Sequence, residues 1–223
     1  MTARDAILSR IRKSLGAAAG DPGRRAIVIS RLENAPRGVI PARGQLAKDD
    51  RITLFAVMAE KVSASVGRVA TDEALPEAVA AYLRDTNLPA AIRMGNDPRL
   101  RGLPWYRVPQ LAIAHGPSDG SDMVTLSHAV AGVAETGTLI LASGPDNPST
   151  LNFLPDTHIV AVRAVDIAGD YESVWSVTRA RYGKGEMPRT VNMITGPSRS
   201  ADIEQTLLLG AHGPRRLHIL IVG

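Results

Sequence analysis

The sequence predicts an α/β protein: a largely parallel sheet flanked by helices, preceded by an N-terminal helical arm. Three observations carry this. Short, mainly apolar runs at Ala90–Met94, Met123–His128, Thr138–Ala142, His158–Val162, Thr190–Ile194 and Leu217–Val222 have strand length, as expected of strands covered on both faces. Segments with helical spacing of apolar residues lie between them. Aromatic residues make up only 4% of the chain, so the core must be aliphatic packing.

The elements follow in order. Thr2 caps a first helix with Asp5 in its first turn; Ile7, Leu8, Ile11 and Leu15 form one stripe, and Gly16 ends it. Residues 17–44 read as an irregular linker rich in Ala, Gly, Pro and Arg, with a short apolar piece at Ala26–Ile29. This divides the chain into an arm and linker, 1–44, and an α/β domain, 45–223. A second helix spans Lys48–Val66 on Leu54, Phe55, Met58, Val62 and Val66, stopped by Gly67, with a short strand at Arg68–Ala70. Pro76 opens a helix ending near Arg84, and Trp105–Val108 reads as a strand. Ser143–Asp156 is a proline-bearing loop, Tyr171–Tyr182 a helix, and Asp202–Leu209 another.

Composition removes several classes of chemistry. Cysteine is absent, so the chain offers no disulfide, no thiolate zinc site and no thiolate ligand to an iron–sulfur cluster. Lysine occurs only at Lys13, Lys48, Lys61 and Lys184, so 22 of the 26 basic residues are arginines. They are interleaved with acids and form no stripe with aromatic platforms, which argues against nucleic-acid binding despite a net charge of +4. No apolar run reaches the length of a membrane span and the start lacks a signal peptide's apolar region, so the expectation is a cytoplasmic protein.

Two stretches stand out as sites. In Ala134-Glu135-Thr136-Gly137, a carboxylate sits among small residues just before an apolar strand. Glu135 is a candidate nucleophile, base or ligand-binding acid at a sheet rim, with Thr136 and Gly137 beside it. The same residues also suit a turn whose Glu135 caps neighbouring N–H groups. In Gly196-Pro197-Ser198-Arg199-Ser200-Ala201-Asp202-Ile203-Glu204, a strand runs into a polar turn and then a helix start. Free N–H groups there, with Ser198, Ser200 and Arg199, suit a phosphate or carboxylate. Asp202 and Glu204 cut against a highly charged anion, and Ser198 or Ser200 equally suits a plain helix cap. Of five histidines none has metal-ligand spacing. His212 is placed at a helix C-terminus, where a capping role competes with a catalytic one; His158 opens a strand, where satisfying a backbone group is the simple account.

Taken with Leu154-Pro155-Asp156-Thr157-His158-Ile159 and Leu209-Gly210-Ala211-His212-Gly213-Pro214, these two stretches resemble the LUD-domain family, in its lactate utilisation protein C group. The Ile7–Arg12 pattern of the arm resembles that group as well. The resemblance implies an architecture similar to the NagB/RpiA/CoA-transferase-like fold. It also implies an accessory or regulatory role in oxidising lactate to pyruvate, beside partner subunits that carry the iron–sulfur clusters, with no cofactor in this chain. Glu135-Thr136-Gly137 further resembles the turn bearing the catalytic glutamate of CoA transferases, with Thr136 in place of the more usual Asn. A stand-alone CoA-transferase-like enzyme using Glu135, and a binding protein for an anionic metabolite at the Gly196–Glu204 turn, are the competing expectations.

Overall fold

The computed structural model describes residues 2–16, 20–201 and 207–223. They form two units, Met1–Val39 and Ile40–Gly223.

The first unit contains α1 (Ala3–Ser14) and α2 (Pro22–Asn34). The helix start anticipated at Thr2 is a reciprocal capping box: Asp5 N donates to Thr2 Oγ1 at 3.2 Å and Thr2 N donates to Asp5 Oδ2 at 3.1 Å. The linker expectation needs correction, because α2 occupies much of it. Asp21 accepts from Gly23 N and Arg24 N at 2.9 and 3.2 Å, Pro22 opens the first turn, and Ala26–Ile29 falls inside the helix. A local cap with Pro at N1 outweighs the loop-like glycines around it.

The second unit runs α3 (Lys48–Lys61), β1 (Ser65–Val69), α4 (Leu75–Asp85), β2 (Ala91–Met94), α5 (Pro98–Arg101), β3 (Ala112–His115) and β4 (Val124–His128). It continues through β5 (Ala131–Val133), β6 (Thr138–Ala142), α6 (Thr150–Phe153), β7 (Thr157–Arg163), β8 (Ile167–Ala168) and α7 (Tyr171–Tyr182). The chain ends with β9 (Val191–Ile194), β10 (Arg199–Ala201), β11 (Leu207–Leu209) and β12 (Arg216–Val222).

Six strands form a parallel sheet in the order β1-β12-β7-β4-β2-β3. Its central strands are buried on both faces, which is why their apolar residues do not simply alternate with exposed polar ones; the polar residues they carry, such as Thr125, Ser127 and His158, are themselves buried. Alternation along β7 splits the core in two. Val160 and Val162, with Ile219 and Ile221, meet Phe55 and Ala59 of α3 and Leu139 and Leu141 of β6. Ile159 and Ala161, with Leu220, meet Leu75, Val79 and Leu83 of α4 and Leu100 of α5. A second, mixed sheet, β8-β5-β6-β9, packs Ala131, Val133 and Ile140 against Val174 of α7. The helix expected over Tyr171–Tyr182 is present and capped by Asp170, whose Oδ1 accepts from Ser173 N at 2.8 Å.

Other expectations change. α3 stops at Lys61, and Gly67 lies inside β1, where an added Cβ would come within 3.0 Å of Leu220 Cδ2. Trp105–Arg107 is a tight helical turn, fixed by the indole N–H donating to Leu100 O at 2.7 Å; the neighbouring sheet strand is Ala112–His115 instead. Part of the Ser143–Asp156 loop is α6. The helix over Asp202–Leu209 is not formed at its C-terminal end: Leu207–Leu209 is a strand, antiparallel to Arg199–Ala201. Asp202 and Glu204 lie outside the described residues. Cross-strand pairing, invisible in a local pattern, decides this segment.

Candidate functional site

The Glu135 turn joins β5 to β6. Its backbone is pinned by Ala134 N donating to Ala168 O at 2.8 Å, Glu135 N to Gly169 O at 3.2 Å and Gly137 N to Val133 O at 2.9 Å. Gly137 has φ +67, and an added Cβ would lie 2.3 Å from Ala59 N of α3, so the turn is pressed onto that helix. Glu135 is only 3% exposed. Its Oε2 lies 3.5 Å from Arg43 Nε, an ion pair, and accepts no hydrogen bond. Thr136 Oγ1 donates to Tyr171 Oη at 3.1 Å and lies 2.7 Å from Thr138 Oγ1, so it anchors the turn to α7. The capping function that the sequence allowed for Glu135 is taken by backbone groups instead.

The Gly196 turn follows β9. Gly196 has φ +73, and an added Cβ would lie 2.4 Å from Val62 O, just past α3. Both turns therefore abut the C-terminal end of one helix. Ser198 N donates to Pro214 O at 2.8 Å, Gly210 N donates to Ser198 O at 3.0 Å, and His212 N donates to Ser198 Oγ at 3.3 Å. The Ser198 N–H, one of the turn's donors expected to hold an anion, is thus already engaged. Ser198 is a clasp between the turn and the 210–214 stretch. Arg199 Nη2 donates to the Ser63 hydroxyl. Ser200 sits in β10, paired in register with Leu208. His212 follows a strand, so the helix C-terminus anticipated for it is absent.

Between the turn and the parallel sheet is a cavity of about 280 Å³. Gly196, Ser198, Arg199 and His212 line it together with Asn152, Phe153 and His158. Glu135, Thr136, Gly137 and Ser200 are not among its lining residues. The structure thus unites four of the expected ligand-binding residues around the cavity and leaves the neighbouring Glu135 turn outside its lining.

Asn152 and His158 are the residues that sequence reasoning underrated. His158 faces the same side of β7 as Val160 and is fully buried. It satisfies no backbone group: its Nε2 lies 3.0 Å from the Ser127 hydroxyl of β4. The same hydroxyl lies 3.4 Å from Asn152 Oδ1. His158 Nδ1 and Asn152 Nδ2 are buried with no protein partner. Burial pushes the His158 pKa down to about 3, so the ring is neutral at physiological pH. The signal available in the sequence was an amide and a hydroxyl embedded in apolar stretches, Leu151-Asn152-Phe153 and Leu126-Ser127.

A second polar cluster lies at the C-terminal ends of β2 and β4. Arg99 Nε and Nη2 donate to the two oxygens of Asp97 at 3.0 and 2.6 Å, and its Nη1 donates to Ala129 O at 3.4 Å. His128 Nδ1 lies 2.8 Å from the same carbonyl. Burial pushes the Asp97 carboxyl up, but its hydrogen bonds and ion pair with Arg99 hold it below the ordinary value. Among the described residues, no group of three or more His, Cys, Asp or Glu is placed to hold a metal ion, and no helix is long and apolar enough to cross a membrane.

Residues 120–222, which carry both turns and the cavity, match the LUD domain. A lactate utilization protein C from Deinococcus radiodurans is 31% identical over 214 residues, spanning 89% of this chain and 91% of that protein. The chain belongs to the LUD-domain family. A lactate utilization protein C from a Geobacillus species is 37% identical over 91 residues, 40% of this chain, and there the match spans only 38% of the relative's length. The crystal structure of a DUF162 family protein from Deinococcus radiodurans superposes with a TM-score of 0.60 at 24% identity, covering 80% of this chain and 99% of that one. That likeness supports the α/β architecture.

Proposed function

We propose that this protein serves lactate utilisation in the cytoplasm, as an accessory or regulatory subunit of an iron–sulfur system that oxidises lactate to pyruvate. In this reading it binds a small carboxylate in the cavity beneath the Gly196 turn. The observation that carries the reading is the relative named lactate utilization protein C, aligned over 91% of its length. The chemistry of the chain agrees. Without cysteine it supplies no thiolate to a cluster, so electron transfer through clusters falls to partner subunits. The cavity is small, and Arg199 at its wall is suited to a carboxylate.

A CoA-transferase-like role for Glu135 has less support from the geometry. The carboxylate is buried against Arg43 and is not part of the cavity.

The test is affinity purification of the tagged chain, at low salt, from its native cells grown on lactate. Co-purifying iron-containing proteins, with lactate oxidation that disappears when this chain is stripped away, are the expected result. An iron-free chain recovered alone, with lactate oxidation intact in cells lacking it, would overturn the proposal.

A further inference from the structure

Ser127, Asn152 and His158 are 2%, 1% and 0% exposed and form one buried chain of hydrogen-bonding groups. The serine hydroxyl lies 3.0 Å from His158 Nε2 and 3.4 Å from Asn152 Oδ1. It has one proton to donate and two acceptors to choose between.

The choice fixes the imidazole. If Ser127 donates to Asn152 Oδ1, His158 must carry its proton on Nε2 and donate to the serine oxygen. Its Nδ1 is then a bare lone pair, an acceptor. If Ser127 instead donates to His158 Nε2, the ring proton sits on Nδ1, which becomes a donor. Neither arrangement charges the ring, and the depressed pKa of this buried imidazole excludes the imidazolium that would remove the choice. In both, Nδ1 lacks a protein partner, and so does Asn152 Nδ2, which is always a donor. Two buried polar atoms without a protein partner, on residues lining one cavity, are costly unless a ligand or a bound water satisfies them.

We infer that the cavity accommodates both members of a 2-hydroxy-acid/2-keto-acid pair, the direction of the Ser127 hydroxyl setting whether His158 Nδ1 accepts from the hydroxyl or donates to the carbonyl. Arg199 faces the carboxylate common to both, and Asn152 Nδ2 donates to whichever oxygen is present. Ser127 is a positioning residue: it acts through the ring and not on the ligand. The inference rests on the lactate-utilisation reading for the identity of the pair, lactate and pyruvate.

The experiment is long-range proton–nitrogen correlation of the full chain labelled with ¹⁵N-histidine, titrated separately with lactate, pyruvate and propionate. Lactate is expected to leave the His158 proton on Nε2, and pyruvate to move it to Nδ1. Propionate, lacking the second oxygen, is expected to bind about tenfold more weakly than either. Ser127→Ala removes the relay, and its expected signature is one tautomer with both acids and about a tenfold affinity loss for one of them. The same tautomer in both wild-type complexes overturns the inference. So does a response confined to His212, which would leave a carboxylate site at the cavity rim and the proposed function intact. No response at any histidine to any acid overturns the inference together with the ligand-binding part of that function.

Discussion

The hydroxyls of Thr138 and Thr195 lie 2.7 Å apart, and this contact ties the Glu135 turn to the Gly196 turn. Thr138 is fully buried and also lies 2.8 Å from Tyr171 Oη and 2.7 Å from Thr136 Oγ1. Four hydroxyls thus form one network that links the two turns to β6 and α7. The two stretches that stand out in the sequence are neighbours, since β6 pairs with β9 with Leu139 opposite Ile194.

Removing the shared hydroxyl leaves three partners short. Thr138→Val, which keeps the shape, is expected to destabilise the protein by about 2 kcal/mol. Urea unfolding of the two proteins measures this directly, and a difference near zero would show that the network contributes nothing net.

Gly137 and Gly196 each combine a positive φ with a backbone atom of α3 or its cap where a Cβ would sit. Gly137→Ala and Gly196→Ala are each expected to cost about 2–4 kcal/mol, from backbone strain plus forced displacement. Gly144 has open space around it and serves as the control; Gly144→Ala is expected to change stability by less than about 1 kcal/mol. Thermal melts that rank all three variants alike would refute the packing argument.

Glu135→Gln keeps the shape of the side chain and removes its charge. The side chain of its partner, Arg43, is 59% exposed, so water compensates for much of the lost pair. The expected stability change is about 1 kcal/mol or less, and lactate affinity by calorimetry should be unchanged because Glu135 does not line the cavity. Loss of ligand binding in this variant would place the carboxylate in the site after all.

Acid should destabilise this protein earlier than carboxylates alone would. Burial pushes His158 down to about 3 and His218 down to about 4, from 6.5 in the unfolded chain. His218 is held neutral while stacked on Tyr82 at 3.8 Å, with its Nδ1 2.8 Å from the Ser65 hydroxyl. Between these values the unfolded chain binds the protons and the folded one does not. Stability is therefore full above 6.5 and falls as pH drops through the window, to about 4 for His218 and about 3 for His158. The slope should approach about 1.4 kcal/mol per pH unit per histidine. Asp97 and Asp170, lowered from 3.8, add their losses only at the acid end. Urea titrations at pH 7, 6 and 5 check this; His128, also pushed down by burial, adds to the slope, so His218→Gln should flatten it by about a third to a half.

What the sequence determined by itself is the α/β class and the core. Strands such as β7 are legible because burial on both faces forces short, mainly apolar runs, and α7 is legible as a helical segment whose Asp170 cap and Gly183 end the structure then shows. The two turns were also legible, since glycine beside polar residues at the end of a strand is a local signal. What only the tertiary structure decided is which of these residues meet. Pairing of Arg199–Ala201 with Leu207–Leu209 replaces the expected helix end, and contact with α3 fixes Gly137 and Gly196. The Ser127–His158–Asn152 chain draws on β4, β7 and α6, up to 31 residues apart. Propensity and periodicity act over a few residues, whereas a hydrogen bond between strands depends on sheet order and register. Those are set by the packing of the whole domain.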